Sequence, residues 1–230
     1  MKISTELLYL LRGKATKIDS AGTLSGIKKS PVKVPLALDQ FGLEGDEQAD
    51  HRHHGGPDKA IHHYALEHYR FWENSLPTGS PALKLPGAFG ENFSTLNMTE
   101  ATVCIGDVLS VGTAVVEVSQ ARQPCWKLNQ HFQCRDMAQR VQSSGYTGWY
   151  YRVLQPGEVC PGNQLTLLQR PNPHWTLSRL LKTLYVDALN FAELEQIAQL
   201  QALPLRWRQL AEKRLASGKI EDWSARISGT

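Results

Sequence analysis

The chain changes character at Pro171-Asn172-Pro173, and that break constrains its fold more than any other feature. Neither proline can donate to a strand ladder, and each biases its predecessor away from helix, so the tripeptide reads as a linker. Before it, short apolar runs at 32–38, 101–105, 108–111, 114–118 and 164–168 are broken by glycine and proline, the signature of a mostly β segment. The turn signals Ile105-Gly106-Asp107 and Val111-Gly112-Thr113 lie close together, which predicts short strands in a small irregular closed barrel rather than a sandwich. Leu7-Leu8-Tyr9-Leu10-Leu11 reads as the first strand. Glu6 precedes it, Arg12 ends it and no small-residue cleavage site follows, so it is neither signal peptide nor membrane span.

After the linker the pattern turns helical. Leu177, Leu180, Leu181 and Leu184 form one stripe, and Phe191, Leu194, Ile197 and Ala198 form a second. Asn190 and Glu193 stand in the relation of a capping box. A third helix is expected from Leu205 to Ala216, stopping at Gly218. The expected organisation is therefore a β-barrel over 1–170, a three-helix appendage over 171–218, and a tail over 219–230 that docks through Trp223. One helix is also expected inside the β part, where Ile61, Tyr64, Ala65, His68, Tyr69 and Trp72 recur three and four places apart behind Pro57 and Asp58.

Composition excludes several classes. Cys104, Cys125, Cys134 and Cys160 show neither zinc-type C-x-x-C spacing nor the density of a secreted scaffold, which points to a reducing cytoplasm. A net charge of +3 does not argue for nucleic acid as a main partner. His51, His53, His54, His62, His63 and His68 crowd one stretch, yet on the expected helix His62 and His63 are adjacent and point apart and His68 lies five beyond His63, which argues against a histidine metal site. His68 reads as core-facing, His51 and His53 as solvated. His54, set against glycines, is the one positioned for a site.

Three segments could carry chemistry. In Arg122-Gln123-Pro124-Cys125-Trp126-Lys127 one cysteine lies between two cations, which lower a thiol's pKa, on a proline-stiffened loop just past a sheet edge. A cysteine beside tryptophan is equally what a small buried hydrophobe looks like. The stretch from Gly42 to Ala60 is glycine-rich and leads into the expected helix. Gly55 and Gly56 with Arg52 and Lys59 would then make an anion site, although Gly-Gly also serves ordinary turns. In Gly87-Ala88-Phe89-Gly90-Glu91-Asn92-Phe93, Glu91 and Asn92 could bind a polar heterocycle, or an asparagine side chain could simply hold the turn.

Taken in order, Gly-Leu-Glu-Gly-Asp-Glu-Gln at 42–48, His-Gly-Gly-Pro-Asp-Lys-Ala at 54–60, Gly-Glu-Asn at 90–92, Ile-Gly-Asp at 105–107 and Arg-Gln-Pro-Cys at 122–125 resemble the MOSC family, named for the carboxyl-terminal domain of molybdenum cofactor sulfurase. The likeness is greatest to its bacterial YiiM-like members and covers almost the whole chain, helical appendage included. The resemblance implies a MOSC barrel and a molybdenum-pterin cofactor ligated by Cys125. Arg52, Gly55, Gly56, Lys59 and Arg122 are then candidates for its phosphate, Asp46, Glu91 and Asn92 for its pterin, and His54 for cofactor binding. It implies reduction of N-hydroxylated compounds, such as hydroxylaminopurines, to amines. The alternative within the family is a cofactor or sulfur carrier without turnover. A third, weaker reading is nucleic-acid binding through the basic helices near the carboxyl end. No flavin, haem or nicotinamide motif is present, so electrons would come from a flavoprotein. Its expected dock is the basic segment containing Arg206, Arg208, Lys213, Arg214, Lys219 and Arg226.

Overall fold

The computed structural model describes residues 4–20, 22–50, 55–76 and 80–229. Its main layer is a nine-stranded sheet. In spatial order the strands are β1 (Ser4–Glu6), β14 (Gln164–Gln169), β10 (Val108–Val111), β11 (Ala114–Ala121), β12 (Trp149–Gln155), β8 (Ile61–Ala65), β9 (Phe93–Thr95), β2 (Tyr9–Arg12) and β5 (Ser30–Val32). All pairings are antiparallel except β8 with β9. A three-stranded sheet, β13 (Gly157–Val159), β6 (Leu36–Asp39) and β7 (Gly42–Leu43), and a ribbon of β3 (Thr16–Lys17) and β4 (Leu24–Ser25) complete the β part.

The expected closed barrel is an open, curled sheet. Its ends are β1 and β5, and among the described residues no ladder joins them. The expected first strand instead divides at its centre: the Leu7 N–H donates to Asn163 O at 2.8 Å, while the Leu8 N–H donates to Ser94 O at 3.1 Å. One chain segment thus passes from the edge strand β1 to β2, the strand next to the opposite edge.

Two further expectations fail for local reasons. The run at 32–38 is interrupted by Pro35, so β5 and β6 enter different sheets. The run at 101–105 is turn, buried from Val103 on, with the Cys104 N–H bonded to Asp107 Oδ2 at 2.9 Å and a single bridge from Cys104 to Thr176. The internal helix is shorter than its apolar spacing suggested. Residues 61–65 form β8, buried throughout, and helix α1 spans Glu67–Ser75. A strand covered on both faces needs no alternation, and here two histidines broke up the apolar run. His63 is satisfied internally by Tyr151 Oη at 3.0 Å and Thr95 Oγ1 at 2.9 Å.

Short helices α2 (Lys127–Phe132) and α3 (Met137–Ser144) follow the Cys125 loop, and the last part of the chain forms α4 (Leu177–Tyr185), α5 (Phe191–Gln199), α6 (Leu205–Ser217) and α7 (Ser224–Ile227). Thr176 caps α4 by accepting from Arg179 N, Asn190 caps α5 by accepting from Glu193 N, and Gly218 ends α6 in the left-handed conformation. Leu180, Leu184, Ile197 and Trp207 share one hydrophobic cluster with Val116, Val118 and Tyr151 of the sheet. Gln120 of β11 anchors the join, its Oε1 accepting from Trp207 Nε1 at 2.6 Å and from Arg206 at 2.7 Å. Among the described residues no helix is long and apolar enough to cross a membrane.

Candidate active site

The ends of β11, β12 and β8 converge with three loops on one cleft of about 590 Å³, open to solvent. Asp46, Lys59, Asn92, Arg122 and Cys125 line it together. Cys125 follows β11, which lies inside the sheet rather than at its edge, and the thiol-bearing residue is 8% exposed at the cleft wall.

The cysteine side of the cleft is cationic. Arg122 is 5% exposed; its N–H is held by Gly148 O at 2.9 Å, and its Nη1 is buried without a hydrogen-bond partner. A buried guanidinium nitrogen left unpaired costs free energy unless something fills the space before it. Lys59 is buried beside Cys125 and Tyr150, its ammonium 5.6 Å from the Tyr150 ring centre. Burial, with Arg206 and Arg122 close by, pulls its pKa down to about 7, against the pull of Cys125 and Asp50. Lys127 stands on the rim, its Nζ donating to Leu24 O at 2.9 Å. His62, stacked at a tilt on Tyr150, is kept neutral by burial and by Arg122, and its Nε2 is a second buried atom without a partner. Gly148 has to be glycine here: at φ +73° a Cβ would lie 2.4 Å from His63 O and 2.6 Å from His62 Nε2.

The opposite wall is internally paired. Lys29 bonds both oxygens of Asp46, and Asp46 also accepts from the Gly13 N–H at 2.8 Å and from Asn92 Nδ2 at 2.9 Å. Asn92 Oδ1 accepts the His62 N–H at 3.1 Å. Asn92 therefore ties three segments together with its own side chain and presents little to a ligand. Burial lowers the pKa of Lys29 even though Asp46 opposes this.

Several expected site residues lie elsewhere. Glu91 is outside the cleft; its fully buried carboxylate receives the Gly87 N–H at 2.7 Å, the Phe89 N–H at 3.0 Å and the Tyr69 hydroxyl. It is this carboxylate that holds the 87–90 turn. Gly56 lines a neighbouring cavity with Phe41 and Gly42, and Gly55 lines neither. Arg52 and His54, like His51 and His53, lie outside the described residues. No helix opens at Gly56; only a single 3-10 turn, Pro57–Lys59, follows it, so side-chain cations rather than a helix dipole supply the positive charge. Lys29 and Tyr150 carried no sequence signal, since one sits in a Lys-Lys pair and the other in a strand rich in aromatics.

The basic carboxyl-terminal segment does not form one exposed face. Arg214 is 1% exposed, paired with Glu221 at 2.7 Å and bonded to Leu184 O and Ala188 O. Arg206 is committed to Gln120, and Arg226 donates to Pro124 O at 2.7 Å and to Gln142 at 2.6 Å.

The family model for the MOSC domain matches residues 50–166, and that for the YiiM-like, 3-alpha helix domain matches residues 175–218. The chain is 40% identical to Protein YiiM of Escherichia coli (strain K12) over 208 residues, 90% of this chain and 92% of that protein. A crystal structure of YiiM from Escherichia coli superposes with a TM-score of 0.79 at 33% identity, covering 99% of this chain and 98% of the other. YiiM from Geobacillus stearothermophilus gives 0.76 at 36% identity, over 92% of this chain and 99% of the other. A Gibberella moniliformis protein named Reductase is 35% identical over 213 residues, which are 92% of this chain and 37% of that protein.

Proposed function

This chain belongs to the MOSC domain family, in its YiiM-like branch, and from that premise we propose that it binds a molybdenum-pterin cofactor through Cys125 and reduces N-hydroxylated compounds, hydroxylaminopurines among them, to amines. The observation that carries the reading is the unpaired Nη1 of buried Arg122, which shares the cleft with Cys125 and Lys59. The residues fit such a group: a soft thiolate suits the metal, and an orphaned guanidinium nitrogen with a lysine nearby suits an anionic phosphate. When bound, the cofactor supplies the two-electron reduction that breaks the N–O bond. The balance is R–NHOH plus two electrons and two protons giving R–NH2 and water.

The chain's own residues orient and hold. Arg122 offers a planar donor at a fixed place because Gly148 O pins its backbone. Lys59, with a pKa of about 7, gains charge when an anion enters and so takes up a proton on binding. Asp46, Lys29 and Asn92 keep the far wall rigid. The electrons come from a flavoprotein in the same reducing cytoplasm. The name Reductase on the Gibberella moniliformis relative agrees with the direction of the chemistry.

The test is molybdenum and pterin analysis of freshly purified protein, followed by anaerobic amine formation from a hydroxylaminopurine with a chemical reductant. Cys125→Ser should abolish both metal retention and turnover without unfolding, since serine nearly conserves volume, while Cys104→Ser, Cys134→Ser and Cys160→Ser should retain both. Molybdenum with no turnover in wild type would instead support a cofactor carrier. Normal turnover by Cys125→Ser would overturn the assignment.

A further inference from the structure

Every residue flanking Cys125 is gripped by the carboxyl-terminal part of the chain. Gln123 Nε2 donates to the Tyr185 hydroxyl at the end of α4, at 2.9 Å. Pro124 O accepts from Arg226 Nη1 at 2.7 Å, and the Trp126 N–H donates to Arg226 O at 2.8 Å. Arg226 Nη2 reaches on to Gln142 of α3 at 2.6 Å, and Asn129 Nδ2 of α2 donates to Ile227 O at 2.9 Å. Gly229 closes over the Trp126 indole so tightly that a Cβ there would lie 3.0 Å from its Cγ. Trp223 packs edge-on to Tyr185, with ring centres 5.3 Å apart, so the two grips brace each other.

Proline at 124 stiffens one bond of the loop but leaves its carbonyl without a ladder partner, because β11 ends at Ala121. The tail supplies that partner. We propose that Arg226, with Tyr185 behind it, is a positioning residue that sets the direction of the Cys125 thiol in the cleft, a role resting on the reading of Cys125 as the reactive ligand. The appendage and tail are then part of the site's construction rather than a separate module, since Arg226 holds both Pro124 O and the Trp126 N–H, the backbone groups on either side of Cys125, whose own carbonyl accepts the Leu128 N–H at 2.9 Å.

The experiment uses the full-length chain, purified free of cofactor and also loaded. Cys125 alkylation by iodoacetamide is followed by mass spectrometry, with Cys160 of the same molecule as internal reference, in wild type, Arg226→Ala, Arg226→Lys, Tyr185→Phe and the exposed control Lys219→Ala. Removing one net hydrogen bond corresponds to about a fivefold change in an opening equilibrium, so the Cys125-to-Cys160 rate ratio should rise about fivefold or more in Arg226→Ala. The rise should be smaller in Arg226→Lys, which cannot reach Pro124 O and Gln142 together, and absent in Lys219→Ala. In loaded protein kcat should fall about tenfold or more with KM little changed, since a displaced reacting group costs rate before it costs binding. An unchanged ratio in Arg226→Ala overturns the proposal whatever the turnover. Should Arg226→Ala not fold, Tyr185→Phe, which deletes one hydroxyl, decides by the same criterion. A raised ratio in a protein that neither binds molybdenum nor reduces the substrate leaves the grip on Cys125 standing and removes the functional reading alone.

Discussion

The side chains of Lys29 and Asp46 meet in the cleft wall opposite Cys125, each only 5% exposed, with the ammonium bonded to both carboxylate oxygens. Removing one partner of such a pair strands the other. Asp46→Ala should therefore lower unfolding free energy by about 3–5 kcal/mol, the cost of an uncompensated buried charge. Replacing both partners, as Lys29→Met with Asp46→Leu, should recover much of that loss. Urea denaturation decides the matter, and a loss under about 1 kcal/mol for the single variant would show that the pair is not dry.

Lys59 destabilises the cofactor-free fold in a pH-dependent way. Its folded pKa of about 7 lies below its ordinary 10.5, so between those values the unfolded chain binds more protons and stability rises with pH. Below pH 7 the penalty is fully present; above 10.5 it is gone. Lys59→Met should accordingly be more stable than wild type by roughly 2–4 kcal/mol at pH 6, with the difference shrinking towards pH 10. A difference independent of pH would refute the titration.

Arg122 should show opposite effects on stability and binding. Its Nη1 is buried without a partner, so Arg122→Met should leave the cofactor-free protein as stable as wild type or more stable by about 1 kcal/mol. The same variant should lose most of its molybdenum. Arg122→Lys should not restore it, because lysine lacks the planar fork. Melting temperature and metal content are the two measurements, and full metal retention in Arg122→Met would exclude it from the cofactor's grip.

Arg214 and Lys213 are neighbours of equal charge and opposite consequence. Arg214 is buried against Glu221 and two carbonyls of the appendage, whereas Lys213 is exposed. Arg214→Ala should cost about 3–5 kcal/mol and Lys213→Ala under about 0.5 kcal/mol. Thermal denaturation of both variants is the check. Equal melting temperatures would mean that α6 does not depend on this pair.

The helical appendage was legible in the sequence because its leucine stripes, the Asn190 cap and Gly218 all pointed the same way. β8 was not. The spacing of Ile61, Tyr64, Ala65 and His68 matched a helical face, and only the tertiary partners of His63, Tyr151 and Thr95, show how that histidine fits a strand buried on both faces. Charge counting likewise failed for Arg214, because a sequence shows how many cations a helix carries and not which of them turns inward to Glu221. Within the cleft, Cys125, Arg122 and Lys59 were visible through glycine, proline and cation patterns. Lys29 was hidden because its importance arises from a contact with Asp46, seventeen residues away, that no periodicity encodes.

The seam at Leu7 and Leu8 also sets an order of events during synthesis. β1 pairs with β14, Ser4 opposite Thr166 and Glu6 opposite Gln164, so the first of the described strands waits for the last of them. At ribosomal speeds that wait is roughly ten to thirty seconds, during which β2, β5 and β9 have already emerged and can pair with one another. A nascent chain thus carries an unsatisfied strand edge through most of its translation. Glu6 and Ser4, both exposed, give that edge the charge and polarity that discourage another copy from occupying it first. Substituting valine at Glu6 would leave the finished sheet almost unaltered while making the unfinished one adhesive, so the damage would appear as lost soluble yield rather than as a lower melting temperature.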